Sequence, residues 1–179
     1  MWHSPHLSAQ LPLPWRDWLL ETGSLTQRLR ALSPEFSVRV LQQTWRAAFY
    51  DEQQFLNFPA PPTRIRQVHL CCEQTPVVFA RTVMPRRSLC GLRGQALQHL
   101  GAQPLGEVLF AQPRRPRAQL QVTALFATHP LYRLASRHLA PENLPTQLWA
   151  RRSLFHLAGE PLLVTEVFLP SLLEYATLT

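Results

Sequence analysis

A chain of 179 residues, 46% apolar and 16% charged, can bury roughly 70% of the surface its unfolded form exposes, so one globular domain needs no disulfide or structural metal to build a core. No apolar run approaches the ~20 residues of a membrane-spanning helix, and the opening Met1-Trp2-His3-Ser4-Pro5 lacks the basic and apolar regions of a secretory signal, so the chain reads as soluble and cytoplasmic, without stable membrane insertion. The net charge is +7 and all 18 basic residues are arginines, which excludes lysine Schiff-base or lysine-base chemistry; their scatter as pairs (Arg86-Arg87, Arg114-Arg115, Arg151-Arg152) without a nucleic-acid-binding signature reads as a solvated basic surface.

Residues 1–14, with Pro5, Pro12 and Pro14, read as a loose arm, and residues 15–175 as the domain proper. From Trp15 the apolar positions Trp18, Leu19, Leu25, Leu29 and Leu32 recur at helical spacing. Gly23 divides that stripe, and Ser24-Leu25-Thr26-Gln27 has the form of a capping box that starts a second short helix. Two short helices joined at a turn can act as a lid. After Pro34 the period becomes two, with Phe36, Val38 and Val40 alternating with Ser37 and Arg39, a strand pattern. Residues 51–63 read as a loop, because a run such as Asn57-Phe58-Pro59-Ala60-Pro61-Pro62 lacks the donors a sheet needs.

Ile65 to Cys72 and Val77 to Met84 are two β-branched-rich runs joined across Glu73-Gln74-Thr75-Pro76, a hairpin pattern that Pro85 ends. Ala96, Leu97 and Leu100 before Gly101 suit a short helix with a glycine stop, and Pro104-Leu105-Gly106 opens a turn running to Phe110. Leu120 to Phe126 reads as a strand, and residues 127–146, with Pro130, Pro141 and Pro145, as an excursion of mostly loop character. Leu148 to Leu157 and Pro161 to Leu169 form a second hairpin around Ala158-Gly159-Glu160, stopped by Pro170.

The two hairpins echo each other. Pro76-Val-Val-Phe-Ala-Arg81-Thr-Val-Met-Pro85 and Pro161-Leu-Leu-Val-Thr-Glu166-Val-Phe-Leu-Pro170 share a proline, four residues, a charge, three residues and a proline. Strand parity places Glu166 with Leu162, Val164 and Phe168, Arg81 with Val77, Phe79 and Val83, and Arg66 with Val68 and Leu70. Three charges aimed into apolar surroundings cost several kcal/mol unless paired. They read either as a structural ion pair of Arg81 or Arg66 with Glu166, or as a pocket where arginines meet carboxylates and Glu166 meets a hydroxyl.

Familiar catalytic constellations are missing: there is no GxSxG, HExxH, GxxxxGK[ST] or GxGxxG. Cys71, Cys72 and Cys90 lack zinc-ligand spacing and read as reduced thiols. None of the seven histidines is placed for catalysis, and His69 and His156, within strands, read as solvent-facing or hydrogen-bonded. A mostly antiparallel sheet with a lid and a pocket of two arginines and one carboxylate suits a small aromatic or cyclic acid, bound either by an enzyme or by a sensor.

Arg66 in Ile65-Arg66-Gln67-Val68, then Ala80-Arg81-Thr82-Val83-Met84-Pro85, Leu100-Gly101 with Pro104-Leu105-Gly106 and Leu109-Phe110, Leu148-Trp149-Ala150-Arg151-Arg152-Ser153, and the Pro161 to Pro170 segment together resemble the chorismate pyruvate-lyase family. The resemblance runs in order from about Trp15 to Pro170, and Trp18-Leu19-Leu20-Glu21 with Ser24-Leu25-Thr26 is similar to that family's amino-terminal helical lid. It implies a single α+β domain: a six-stranded antiparallel sheet with helices and lid segments closing over an internal ligand site. It implies a cofactor-independent, metal-free monomer that converts chorismate to 4-hydroxybenzoate and pyruvate for ubiquinone synthesis, with no nucleic-acid partner.

Carried over by residue, the resemblance assigns Arg66 to the ring carboxylate and Glu166 to the ring hydroxyl. Backbone N–H groups at Leu25 and Leu105 would assist at the carboxylate, and Arg81 would serve the enolpyruvyl carboxylate or its path out. Glu166 acts either as a base or only to orient the hydroxyl. Leu25 stands where a member of the family carries methionine, a volume-conserving change, and the stretch from about Thr128 to Pro145 is longer than the resemblance leads one to expect. The alternative is a non-catalytic sensor domain of the same fold; such sensors are normally joined to a winged-helix reader, which the residues before Trp15 are too few to form.

Overall fold

Six strands pair antiparallel throughout into one sheet in the order β1-β2-β3-β6-β5-β4. They are β1 (Phe36–Arg46), β2 (Thr63–Cys72), β3 (Thr75–Met84), β4 (Gln119–Leu125), β5 (Leu148–Leu157) and β6 (Glu160–Phe168). The computed structural model describes residues 1–4, 11–57, 62–109, 118–157 and 159–177. The two hairpins read from the sequence, β2–β3 and β5–β6, meet along β3 and β6 at the centre of the sheet. Glu73 and Gln74 both take positive φ, the geometry a two-residue turn needs to follow strand twist. Gly159, at φ 87, serves the second hairpin.

The sheet has two covered faces. The front carries α1 (Leu13–Leu19) and α2 (Leu25–Leu32), then α4 (Gly91–Gln98) and α5 (Leu105–Leu109), with α7 (Ser171–Thr177) at one end. One front cluster gathers Trp18, Leu19, Leu25 and Leu29 onto Val68, Leu70, Val78 and Phe168. Another gathers Leu97, Leu100, Leu105 and Leu109 onto Met84, Phe155, Leu162 and Val164. The back is packed by α3 (Tyr50–Leu56) and α6 (Pro130–Ala135), with Leu131, Tyr132 and Ala135 against Phe79, Ala150 and Val167.

The split at Gly23 is as expected: α2 starts at Leu25, with the Ser24 hydroxyl accepting from the Gln27 N–H at 3.4 Å. Elsewhere the structure departs from the sequence reading. The first helix begins at Leu13, and His3 pairs with Val122 of the edge strand β4, so the expected arm is anchored at its start; residues 5–10 lie outside the described residues. The strand from Phe36 continues to Arg46 because one extra residue between Val40 and Gln42 shifts its register, breaking the alternation after Val40. Part of the expected 51–63 loop is α3, held by the Glu52 carboxylate accepting from the Phe49 N–H at 2.8 Å; residues 58–61 of the proline run lie outside the described residues. The 127–146 excursion is largely helical, since His129 Nδ1 caps α6 and short 3-10 turns follow at Ser136–His138 and Pro141–Asn143.

The largest correction concerns charge. Cys71 pairs with Pro76 but Leu70 pairs with Val78, so Val77 is an extra residue beside a proline that has no N–H for the ladder. That single bulge brings Thr82, not Arg81, opposite Arg66. Arg81 therefore points to the back face, away from Arg66 and Glu166. The Arg151-Arg152 pair read as solvated surface is buried, because neighbours in a strand point to opposite faces: Arg151 lies on the front and Arg152 on the back, at 0% and 6% exposure. His69 is buried too, with neither ring nitrogen hydrogen-bonded, contrary to the solvent-facing or bonded reading. Cys71 and Cys72 are buried free thiols and Cys90 an exposed one.

Candidate active site

The two front clusters do not close on each other, and the seam between them is a partly open cavity. Its floor is sheet: Arg66, Val68 and Leu70 of β2, Ala80 and Thr82 of β3, Val164 and Glu166 of β6, with Phe155 of β5. Its roof is two helical turns, Leu25 and Thr26 at the start of α2 and Pro104 to Gly106 with Leu109 around α5. The lining is mostly apolar with a few convergent polar groups, the composition of a small-molecule site.

Arg66 is the cationic group. Its side chain is 2% exposed and has no acidic partner among the described residues; its Nη2 donates to the carbonyls of Gly101 and Gln103, each at 3.0 Å. The Nε is buried without an acceptor. Burial pushes its pKa down to about 10, so the group is still charged at neutral pH. A buried cation with no counter-charge and a free donor is poised for an anion.

Glu166 enters from β6 opposite Ala80. Register places it two strands across and two residues along from Arg66, which corresponds to about 12 Å between Cα atoms. Its Oε2 accepts from Nε of Arg151, directly across the β5–β6 pair, at 2.5 Å. Its Oε1 takes no hydrogen bond among the described residues.

Leu25 and Leu105 are the first residues of α2 and α5, where N–H groups have no intrahelical acceptor. Both line the cavity. The two turns touch at Gly106, where a Cβ would stand 3.0 Å from Thr26 Oγ1 and 3.2 Å from Ser24 Oγ. Glycine is what lets the lid segments meet.

Four of the five residues expected at the site are thus brought together: Arg66, Glu166, Leu25 and Leu105. Arg81 is not among them. It is 1% exposed on the back face, with Nε and Nη2 donating to the two carboxylate oxygens of Glu52 at 2.7 and 3.0 Å. Arg151 is the site residue that sequence reasoning missed; its signal was its position in β5 with the parity of Phe155, which lines the cavity. Among the described residues no cluster of three His, Cys, Asp or Glu side chains could hold a metal ion, and no helix is long and apolar enough to cross a membrane.

Comparison with known proteins bears on what this cavity does. The family profile described as Chorismate lyase matches residues 1–177. A protein of Aromatoleum aromaticum named "Probable chorismate pyruvate-lyase" is 43% identical over 94% of this chain and 91% of its own length. One of the same name from Nitrosospira multiformis is 45% identical over 90% of this chain and 89% of its own. Among solved structures, the effector domain of PhnF from Mycobacterium smegmatis superposes with TM-score 0.59 at 11% identity, covering 85% of this chain and 91% of that one. A GntR-family transcriptional regulator from Bacillus cereus gives 0.53 at 12% identity, covering 76% and 93%. These two likenesses are of fold alone.

Proposed function

We propose, from the premise that the chain belongs to the chorismate lyase family and is a chorismate pyruvate-lyase, that the cavity between Arg66 and Glu166 is where it converts chorismate to 4-hydroxybenzoate and pyruvate. One observation carries the assignment: an arginine buried without a carboxylate partner among the described residues, and a carboxylate with an oxygen that takes no hydrogen bond among them, share one mostly apolar cavity. A para-substituted ring fits that arrangement, its carboxylate at Arg66 and its hydroxyl at Glu166. The first-turn N–H groups of Leu25 and Leu105 add donors at the carboxylate end.

Chorismate carries a ring carboxylate, a ring hydroxyl and an enolpyruvyl ether. The hydrogen on the hydroxyl-bearing carbon passes to the enolpyruvyl methylene through a six-membered cyclic arrangement while the ring carbon–oxygen bond breaks. The ether oxygen becomes the ketone of pyruvate, and the ring gains its third double bond. Aromatisation drives the step, so the protein contributes orientation and electrostatics rather than a strong base. Glu166, already bound to a guanidinium, serves here as the acceptor that orients the hydroxyl. On this reading the protein is a cytoplasmic monomer that works without metal or cofactor.

The test is incubation of the purified protein with chorismate in EDTA, following both products by chromatography. Equal amounts of 4-hydroxybenzoate and pyruvate are expected, lost in Arg66→Ala. A Glu166→Gln variant whose turnover falls no further than its affinity for 4-hydroxybenzoate indicates the orienting role, whereas its inactivity with product binding intact indicates a base. Neither product appearing, while 4-hydroxybenzoate still raises the melting temperature, identifies a binding protein instead.

A further inference from the structure

Arg151 is the most completely buried charge on the front face, at 0% exposure, and it does more than neutralise Glu166. Its Nε holds Glu166 Oε2, while its Nη1 donates to the carbonyls of Trp18 at 3.0 Å and Glu21 at 2.8 Å. Those carbonyls belong to the last turn of α1 and the link to α2. Facing each other across β5–β6 accounts for the ion pair; nothing in the sheet requires the same guanidinium to reach the lid. A buried ion pair is also a weak source of net stability, so stability alone does not account for it. Arg66 ties the other lid segment in the same way, through Gly101 and Gln103.

We infer that Arg151 is a positioning residue that makes recognition of the substrate's ring hydroxyl and closure of the α1–α2 lid one event. The inference rests on the assignment of Glu166 to that hydroxyl. With Oε2 fixed by Arg151, Glu166 presents Oε1 in one orientation. The guanidinium that fixes it also holds the Trp18 and Glu21 carbonyls, so one side chain joins Glu166 to the lid. A ligand hydroxyl that holds Glu166 in this orientation therefore stabilises the closed lid, and opening the lid removes two of the contacts that hold the guanidinium in place.

The experiment compares 4-hydroxybenzoate with benzoate, which lacks the hydroxyl, measuring affinity by calorimetry and release by stopped-flow fluorescence of the lid tryptophans. The wild-type chain is expected to prefer 4-hydroxybenzoate by roughly 10- to 100-fold, the range for a hydrogen bond to a charged group, and Glu166→Gln to remove most of that preference. Arg151→Met should remove it as fully, speed the release of both ligands several-fold, and change the preference no further in the Glu166→Gln background. Arg151→Lys, whose ammonium reaches the carboxylate but lacks the second arm, should restore the preference and still release both ligands faster; it also carries the test should the methionine variant not fold. If the wild type does not discriminate, the Glu166 assignment fails. If it does, but Arg151 variants weaken both ligands equally and keep the preference, Arg151 is structural only and the inference is overturned. Unchanged release from Arg151→Lys overturns the coupling to the lid.

Discussion

Arg66 and Arg81 lie on adjacent strands of one sheet, almost equally buried, yet their surroundings give them opposite roles. Arg81 and Glu52 satisfy each other through two hydrogen bonds, and the guanidinium also lies over the Phe49 ring, 4.3 Å from its centroid. Truncating one member strands the other in the core, which costs about 3–5 kcal/mol. Among the described residues Arg66 has two carbonyls of exposed residues as partners; those carbonyls can turn to water, and removing the guanidinium relieves a charge with no acidic partner there. Arg81→Ala is thus expected to lower stability by about 3–5 kcal/mol. Arg66→Met should change ligand-free stability by less than about 1 kcal/mol and abolish the rise in melting temperature caused by 4-hydroxybenzoate. Urea titrations with and without ligand check both; a strongly destabilised Arg66→Met would place Arg66 with Arg81 as a structural residue.

At the scale of elements, the roof of the cavity is made of short pieces. An eight-residue helix and a five-residue helix are too short to persist alone, so their positions depend on the sheet arginines beneath them and on their own contact at Gly106. The exposed Arg30–Glu107 ion pair also bridges α2 and α5, at 2.5 Å, but pairs of that kind contribute little. Steric fit therefore decides how closely the turns approach. Gly106→Val puts methyl groups where even a Cβ is within 3.0 Å of Thr26. The variant should fold, since the position lies on the roof rather than in the sheet core, but bind 4-hydroxybenzoate about 10-fold more weakly with most of the loss in faster release. Unaltered release kinetics would mean that the two turns do not act as a lid.

For the whole molecule, the back face sets the response to acid. His69 sits there against Phe79 and His138, with ring centroids 6.1 and 4.8 Å away. Burial, then His138 and Arg39, push its pKa down to about 4. An unfolded histidine takes its proton near 6.5, so between about pH 4 and 6.5 the unfolded chain binds more protons. The stability tied to neutral His69 is therefore fully present above 6.5 and is lost as pH falls toward 4. Replacing His69 by leucine should flatten the decline between pH 7 and 4.5 by about 2 kcal/mol, measured by urea unfolding at the two values. An unchanged slope would assign the acid sensitivity to the carboxylates.

Local pattern alone was enough for five of the strands and the first half of β1, the two hairpins, the break at Gly23 and the cap at Ser24, because alternation, turn residues and capping act over a few neighbouring positions. Arg66 and Glu166 were legible for the same reason: a charge in an apolar strand is conspicuous whatever the strand pairs with. The helices α3 and α6 were not, since their few apolar residues become helical through contacts with the back of the sheet. Arg81 and Arg151 show where local reading ends. Parity says which residues share a face within one strand, but how the faces of two strands correspond depends on register, and the single bulge at Val77 reversed it. That reversal sent Arg81 into a structural pair on the back, while the packing of α1 over β5 made Arg151, one of eighteen arginines in the sequence, a neighbour of the site. Side-chain type and spacing are written along the chain; which charges meet was decided only when the strands paired and the lid closed over them.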